Sequence, residues 1–270
     1  MLFVFGCSQG PREVAGNVMK MHNLRQRLRE HELLMGTMIT LSSPAVTEML
    51  SQMDFDWFFV DGEHGPLETT EMMGILQAAE PEVPCMVRVP VADEVWIKKF
   101  LDCGASGIIA PQVNSPELAA QVVSWTRYAP EGVRGVGLAR AHGYGLSFAD
   151  YVERANDEIA CVIQVEHIDA VNCVEETVQI AGVDCILLGP YDLSASMGKM
   201  GQVNDPEVVA AIEHVTKVCQ AAGMPLGYFG VSAADIKPYI DQGYTLVVAA
   251  TDTIFLASGA QHFLKSLNSE

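Results

Sequence analysis

Short runs of β-branched or aromatic residues alternate along this chain with longer stretches whose apolar positions recur every three or four residues, the pattern of strands followed by helices. After a helical lead-in around Leu24 to Glu32, eight such pairs can be counted. The predicted strands are Gly36 to Leu41, Asp56 to Val60, Pro84 to Val89, Gly107 to Pro111, Ile159 to Val165, Cys185 to Leu188, Pro225 to Phe229 and Thr245 to Ala249. The helical stretches are Pro44 to Met53, Glu68 to Ala79, Glu94 to Cys103, Pro116 to Arg127, Ala170 to Ile180, Pro206 to Ala222, Ala233 to Gln242 and Thr253 to Leu267. Ser43-Pro44, Ser115-Pro116 and Asp205-Pro206 each set a capping side chain before a proline at the first helical position. Glycines stop several helices, at Gly104, Gly182, Gly223 and Gly243.

Eight β-then-α units match a closed (β/α)8 barrel, and parallel strands covered on both faces explain why the strands read as continuously apolar. A doubly wound open sheet would lead one to look for a glycine-rich first turn after a strand; no G-x-G-x-x-G occurs, nor a G-x-x-x-x-G-K-[ST] loop. The expected organisation is one barrel domain over residues 23–270, preceded by an extension over residues 1–22. One segment breaks the rhythm: Tyr128 to Ala155 is long and carries several glycines and arginines.

Composition narrows the function. With 49% apolar residues the chain can bury a large core, and a formal charge of −18 repels phosphate backbones and anionic membrane surfaces. No apolar run is long enough for a spanning helix. Seven scattered cysteines without a C-x-x-C pair point to a reducing, cytoplasmic compartment.

In such barrels the reacting groups gather where strands end. Strand two ends in Asp61-Gly62-Glu63-His64, strand three carries Arg88, strand four runs into Gln112, and strand five reads Gln164-Val165-Glu166. Strand six leads through Gly189-Pro190-Tyr191 to Asp192, and strand eight gives Thr251-Asp252. Glu166 and Asp192 are 26 residues apart, close to one β/α repeat, so neighbouring strands would bring both carboxylates to one rim position. Oxygen donors of this kind suit a hard divalent cation such as Mg²⁺ or Mn²⁺. Spacing alone weighs this evenly against Asp192 capping a turn and Glu166 pairing with a basic neighbour. Arg88 at the end of an apolar strand needs an anion, either a substrate group or an internal partner in Asp61 or Glu63. His64 sits where a neutral imidazole can act as base. No lysine falls within a predicted strand, which argues against a Schiff-base route.

The motifs Asp61-Gly62-Glu63-His64-Gly65-Pro66, Val87-Arg88-Val89-Pro90, Leu101-Asp102-Cys103-Gly104-Ala105, Pro130-Glu131-Gly132-Val133-Arg134-Gly135, Gln164-Val165-Glu166 and Gly189-Pro190-Tyr191-Asp192-Leu193-Ser194, in this order, resemble the HpcH/HpaI aldolase family. The resemblance covers about Leu24 to Ser266 and implies a metal-dependent (class II) pyruvate aldolase acting on a small-molecule 4-hydroxy-2-oxo acid and an aldehyde. It implies that Glu166 and Asp192 hold Mg²⁺, Mn²⁺ or Co²⁺, and that Gln164 and the Tyr191-Asp192 backbone contact the pyruvyl part. Arg88 would stabilise the enolate; His64 would be the base, made more basic by Asp102; and Asp61 would be a further rim carboxylate. It also implies a homotrimer, or a homohexamer built as a dimer of trimers with the last helix exchanged. Tyr191 departs from the small residue common in the family, and the segment Ala139 to Gly145 occupies the region that shapes the aldehyde end. The rival readings are an acyl-CoA lyase of the citrate-lyase β type, which would call for a basic entrance, and a catalytically silent barrel acting as a binding protein.

Overall fold

The computed structural model describes residues 23–80 and 82–268; the extension expected over residues 1–22 lies outside the described residues. Eight parallel strands close a barrel in sequence order, β8 pairing with β1. They are β1 (Leu34–Ile39), β2 (Trp57–Asp61), β3 (Cys85–Arg88), β4 (Gly107–Ala110), β5 (Ala160–Val165), β6 (Cys185–Leu188), β7 (Leu226–Gly230) and β8 (Leu246–Thr251). Strands β2 to β6 are buried at every position, which is why they carry no polar alternation.

Side-chain alternation splits the apolar residues into two cores. Trp57, Phe59, Met86, Ile109, Val162, Leu187 and Val248 fill the barrel, while Phe58, Val60, Val87, Ile108 and Ile163 pack outward against the helices. Trp57 fits only because Gly36 lies beside it: a Cβ there would come within 2.6 Å of the indole ring.

Helix α1 (Leu24–Arg29) closes the N-terminal end of the barrel with Leu24 and Leu28. Around the wall lie α2 (Pro44–Ser51), α3 (Thr69–Ala79), α4 (Glu94–Asp102), α5 (Pro116–Thr126), α6 (Phe148–Glu158), α7 (Ile168–Asn172), α8 (Val174–Thr177), α9 (Pro190–Ser196), α10 (Pro206–Ala222), α11 (Ala233–Asp241) and α12 (Asp252–Leu267). Ser115 and Asp205 cap their helices as expected, accepting from the Leu118 and Glu207 amides; Ser43 makes no such side-chain bond. Gly223 ends α10 with φ of +66°, a conformation an L side chain resists.

Three features differ from the sequence reading. The helix expected over Ala170 to Ile180 is broken at Cys173 into α7 and α8. The long segment Tyr128 to Ala155 supplies a short 3-10 segment, Arg140–Gly145, and most of α6, pinned by the buried His142 ring against Phe148 and Tyr151. Helix α9 follows β6 directly. No helix among the described residues is long and apolar enough to cross a membrane.

Candidate active site

Sheet register builds the site. In the β2–β3 pairing Asp61 lies directly opposite Arg88 at the C-terminal mouth. Arg88 Nε donates to Asp61 Oδ1 at 2.9 Å and Nη2 to Oδ2 at 2.8 Å, a bidentate bridge, while Nη1 meets Glu63 Oε2 at 3.1 Å. The guanidinium also lies over the Phe59 ring, 5.2 Å from its centroid. Burial works against its charge, but Asp61 and then Glu63 overcome it, so the arginine is held above its ordinary pKa. The internal partners that the sequence offered for Arg88 are therefore both used.

Asp61 Oδ1 further accepts from the amides of Glu63 at 3.1 Å and His64 at 3.3 Å, folding the strand end into a turn. That turn presents His64 outward, 69% exposed, with Nε2 3.8 Å from Glu63 Oε2. Burial raises the Glu63 carboxyl above the usual carboxylate range, Arg88 and His64 opposing and Asp61 and Asp192 adding to the rise.

Two strands on around the barrel, Glu166 follows β5. Its Oε1 accepts from the Gln112 amide at 2.8 Å, and its Oε2 from Gln164 Nε2. Gln112 makes its bond from a left-handed backbone, φ +53°, that few non-glycine residues adopt. Glu166 is pushed up to about 7 by burial first, with Glu63 and Asp192 adding to the rise and the Gln112 amide and Arg88 opposing. Gly189 backs directly onto it: a Cβ there would lie 2.8 Å from Glu166 Cβ and 3.0 Å from both Gln164 Nε2 and Glu166 Oε2. Asp192 is exposed in the first turn of α9, where the Tyr191 and Asp192 amides have no carbonyl inside the helix to bond. Gln164 Oε1 is buried without a partner.

This donor set fits a hard divalent cation. A buried carboxylate crowded by other carboxylates, with an unpaired amide oxygen beside it, is an environment that positive charge relieves. Glu166 and Asp192 could hold such an ion with water and substrate completing its shell, since among the described residues no group of three or more His, Cys, Asp or Glu forms a cage.

The structure does not bring Asp102 to His64 within one chain. Asp102 accepts from Arg134 Nη2 at 2.8 Å. It ends α4, and a helix following a strand runs back toward the N-terminal end of the barrel, so Asp102 and His64 lie at opposite ends. The rim acid Asp252 is structural: buried, it accepts from the Thr40 and Leu41 amides and the Thr40 hydroxyl, tying the end of β8 to β1. Sequence reasoning offered Glu63 only as an alternative internal partner of Arg88 and assigned no role to the Gln112 amide or to Gly189, for which the Gly-Pro after β6 was the only signal.

A family model described as HpcH/HpaI aldolase/citrate lyase matches residues 35–258. A hydroxypyruvate/pyruvate aldolase of Paraburkholderia phytofirmans is 34% identical over 91% of this chain and 97% of its own length. A 5-keto-4-deoxy-D-glucarate aldolase of Shigella boydii is 35% identical over 89% of this chain and 94% of its own. The crystal structure of an HpcH/HpaI aldolase/citrate lyase family protein from Burkholderia cenocepacia superposes with a TM-score of 0.87 at 33% identity, covering 91% of this chain and 99% of that one.

Proposed function

This chain belongs to the HpcH/HpaI aldolase/citrate lyase family and is an aldolase, and from that premise we propose that it reversibly cleaves a 4-hydroxy-2-oxo acid to pyruvate and an aldehyde. The observation that carries this reading is the convergence of Arg88 with the Glu166 and Asp192 carboxylates at one barrel mouth. A divalent cation on Glu166 and Asp192 supplies, when bound, Lewis-acid charge beside the keto acid. Asp61 and Glu63 hold the Arg88 guanidinium in one orientation, and its uncommitted N–H groups stabilise charge that grows on the enolate oxygen in the transition state. His64, on the exposed turn, takes the C4 hydroxyl proton as the C3–C4 bond breaks. Gln164 Oε1 accepts from a substrate hydroxyl or water, and the first-turn amides of Tyr191 and Asp192 receive the carboxylate.

The test is a coupled pyruvate-release assay over several 4-hydroxy-2-oxo acids, with and without a chelator, and with Mg²⁺, Mn²⁺ or Co²⁺ restored. Arg88→Ala should lower kcat about 10²–10³-fold, the cost of removing one well-placed donor. Release indifferent to chelation, a near-normal Arg88→Ala, or borohydride trapping of a substrate adduct would overturn the mechanism.

We further propose a homo-oligomer, a trimer or a dimer of trimers. Helix α12 buries only Asp252 and leaves Phe255, Leu256, Phe263, Leu264 and Leu267 exposed, a face suited to another copy of the chain. In such an assembly Asp102 would support His64 from a neighbouring copy, a reading consistent with the separation of the two within one chain. Phe263→Asp should lower the mass seen by sedimentation. A cytoplasmic setting is supported by the six described cysteines, all free thiols.

A further inference from the structure

Two arginines of the Tyr128 to Ala155 segment converge on the end of α4. Arg140 Nη1 donates to the Cys103 carbonyl at 2.8 Å, and its Nη2 holds Glu80. Arg134 takes the Asp102 carboxylate itself, Nη2 to Oδ1 at 2.8 Å, while its Nη1 donates to the Tyr151 hydroxyl at 3.2 Å. The Arg134 side chain is wholly inaccessible, its guanidinium 4.5 Å from the Tyr128 ring centroid and 5.7 Å from that of Tyr151. The backbone beneath it is fixed as well, since the Val133 and Arg134 amides donate to the Ser124 and Arg127 carbonyls at 2.9 Å.

Stability alone does not account for this arrangement. Arg134 Nε and the Tyr128 hydroxyl are both buried without a partner, each a cost to the fold. Asp102, by contrast, stays 24% exposed, and among the described residues no hydrogen bond reaches its Oδ2. A carboxylate at a helix end has several rotamers open to it; here a rigid fork selects one and leaves an oxygen open to a group outside the chain.

We infer that Arg134 is a positioning residue for catalysis: it holds the Asp102 carboxylate in the one orientation that His64 of a neighbouring copy meets. The inference rests on the neighbouring-copy reading of Asp102 given above. Arg134 acts through Asp102 on the proton transfer at His64, so its loss falls on kcat and not on KM.

The experiment measures pyruvate release by single variants and by mixed assemblies, coexpressed with two different tags and isolated through both. Arg134→Met should lower kcat about tenfold with KM within about twofold of wild type, and in an Asp102→Asn background it should lower kcat no further. Mixed with His64→Asn chains, Arg134→Met chains should give at least about threefold more activity than the two variants kept apart, because in about a quarter of sites an intact His64 meets an intact Arg134 and Asp102 from the other chain. A role confined to the folding of its own chain would give no such gain. Arg134→Lys, which keeps the charge and loses the fork, takes the same place in the mixture if Arg134→Met does not assemble. A kcat within about twofold of wild type, a further loss in the Asp102→Asn background, or no gain on mixing overturns the inference. A control mixture of His64→Asn with Asp102→Asn chains separates the two readings. Gain there with none from the Arg134 variant overturns the positioning role alone; no gain in either mixture overturns the neighbouring-copy role of Asp102 as well.

Discussion

Asp61→Asn isolates the pair on which the site is built. The wild-type carboxylate accepts four bonds: Arg88 Nε and the Glu63 and His64 amides on Oδ1, and Arg88 Nη2 on Oδ2. Asparagine can keep the three on Oδ1, but its amide nitrogen then faces Arg88 Nη2, donor against donor. Both side chains are nearly inaccessible, at 8% for Arg88 and 3% for Asp61, so solvent cannot repair the contact. Losing one partner of a buried pair costs ~3–5 kcal/mol, and Glu63, still 3.1 Å from Nη1, reduces this to about 2–4 kcal/mol. For a chain of this length the midpoint of thermal unfolding should fall by roughly 5–12 °C. Because the guanidinium is no longer locked, kcat for pyruvate release should fall about 10- to 100-fold with a smaller change in KM. Combining Asp61→Asn with Arg88→Met should restore part of the lost stability, with a coupling of at least ~1 kcal/mol. An Asp61→Asn enzyme melting within about 1 °C of wild type, or strictly additive single and double variants, would refute the reasoning.

Glu166 holds its proton up to about pH 7, well above an ordinary carboxyl, because burial disfavours its charge. In the absence of a cation its folded form binds more protons than its unfolded form between ordinary carboxylate titration and about pH 7, so its contribution to stability falls as pH rises through that window. Mn²⁺ affinity measured by calorimetry should do the reverse, rising toward pH 7 and levelling above it; a flat profile from pH 5.5 to 8 rules this out. Gly189→Ala should cost about 1–3 kcal/mol by overpacking against Glu166 and Gln164, and weaken Mn²⁺ binding as well; unchanged melting and affinity would mean that the Gly189 backbone does not press on the site. Asp184→Asn removes the charge of the fully buried carboxylate that Arg25, Arg29 and Arg127 share at the closed end and turns one of its acceptor oxygens into a donor, and should destabilise by about 3–5 kcal/mol while kcat per folded enzyme stays near wild type. A kcat loss matching the stability loss would contradict the separation of the two ends.

The barrel was legible along the chain because its determinants are local and repeated. Strands buried on both faces must be continuously apolar, helix starts at Pro116 and Pro206 carry caps, and Gly223 stops a helix in a conformation that favours glycine. The rim chemistry was legible in part for the same reason, since each strand ends at a countable position: Asp61 and Arg88 are the last residues of β2 and β3, while Glu166 and Asp192 follow β5 and β6. Less visible was α6, hidden in a segment whose glycines and arginines read as irregular, and the break at Cys173 inside one apparently continuous helix.

What tertiary structure alone decided is who partners whom. Register across β2 and β3 placed Asp61 opposite Arg88, an opposition between residues 27 apart that no local pattern encodes. The direction of α4 carried Asp102 to the far end of the barrel and into the grasp of Arg134, although the family resemblance had linked it to His64. Closure set the Gln112 amide and Gly189 around Glu166, and with them the burial that keeps its proton near neutrality. The sequence by itself thus determined the elements and the mouth at which polar groups collect; the pairing, desolvation and charge balance there arise only when strands distant in sequence close into one ring, because each depends on distances that folding alone creates.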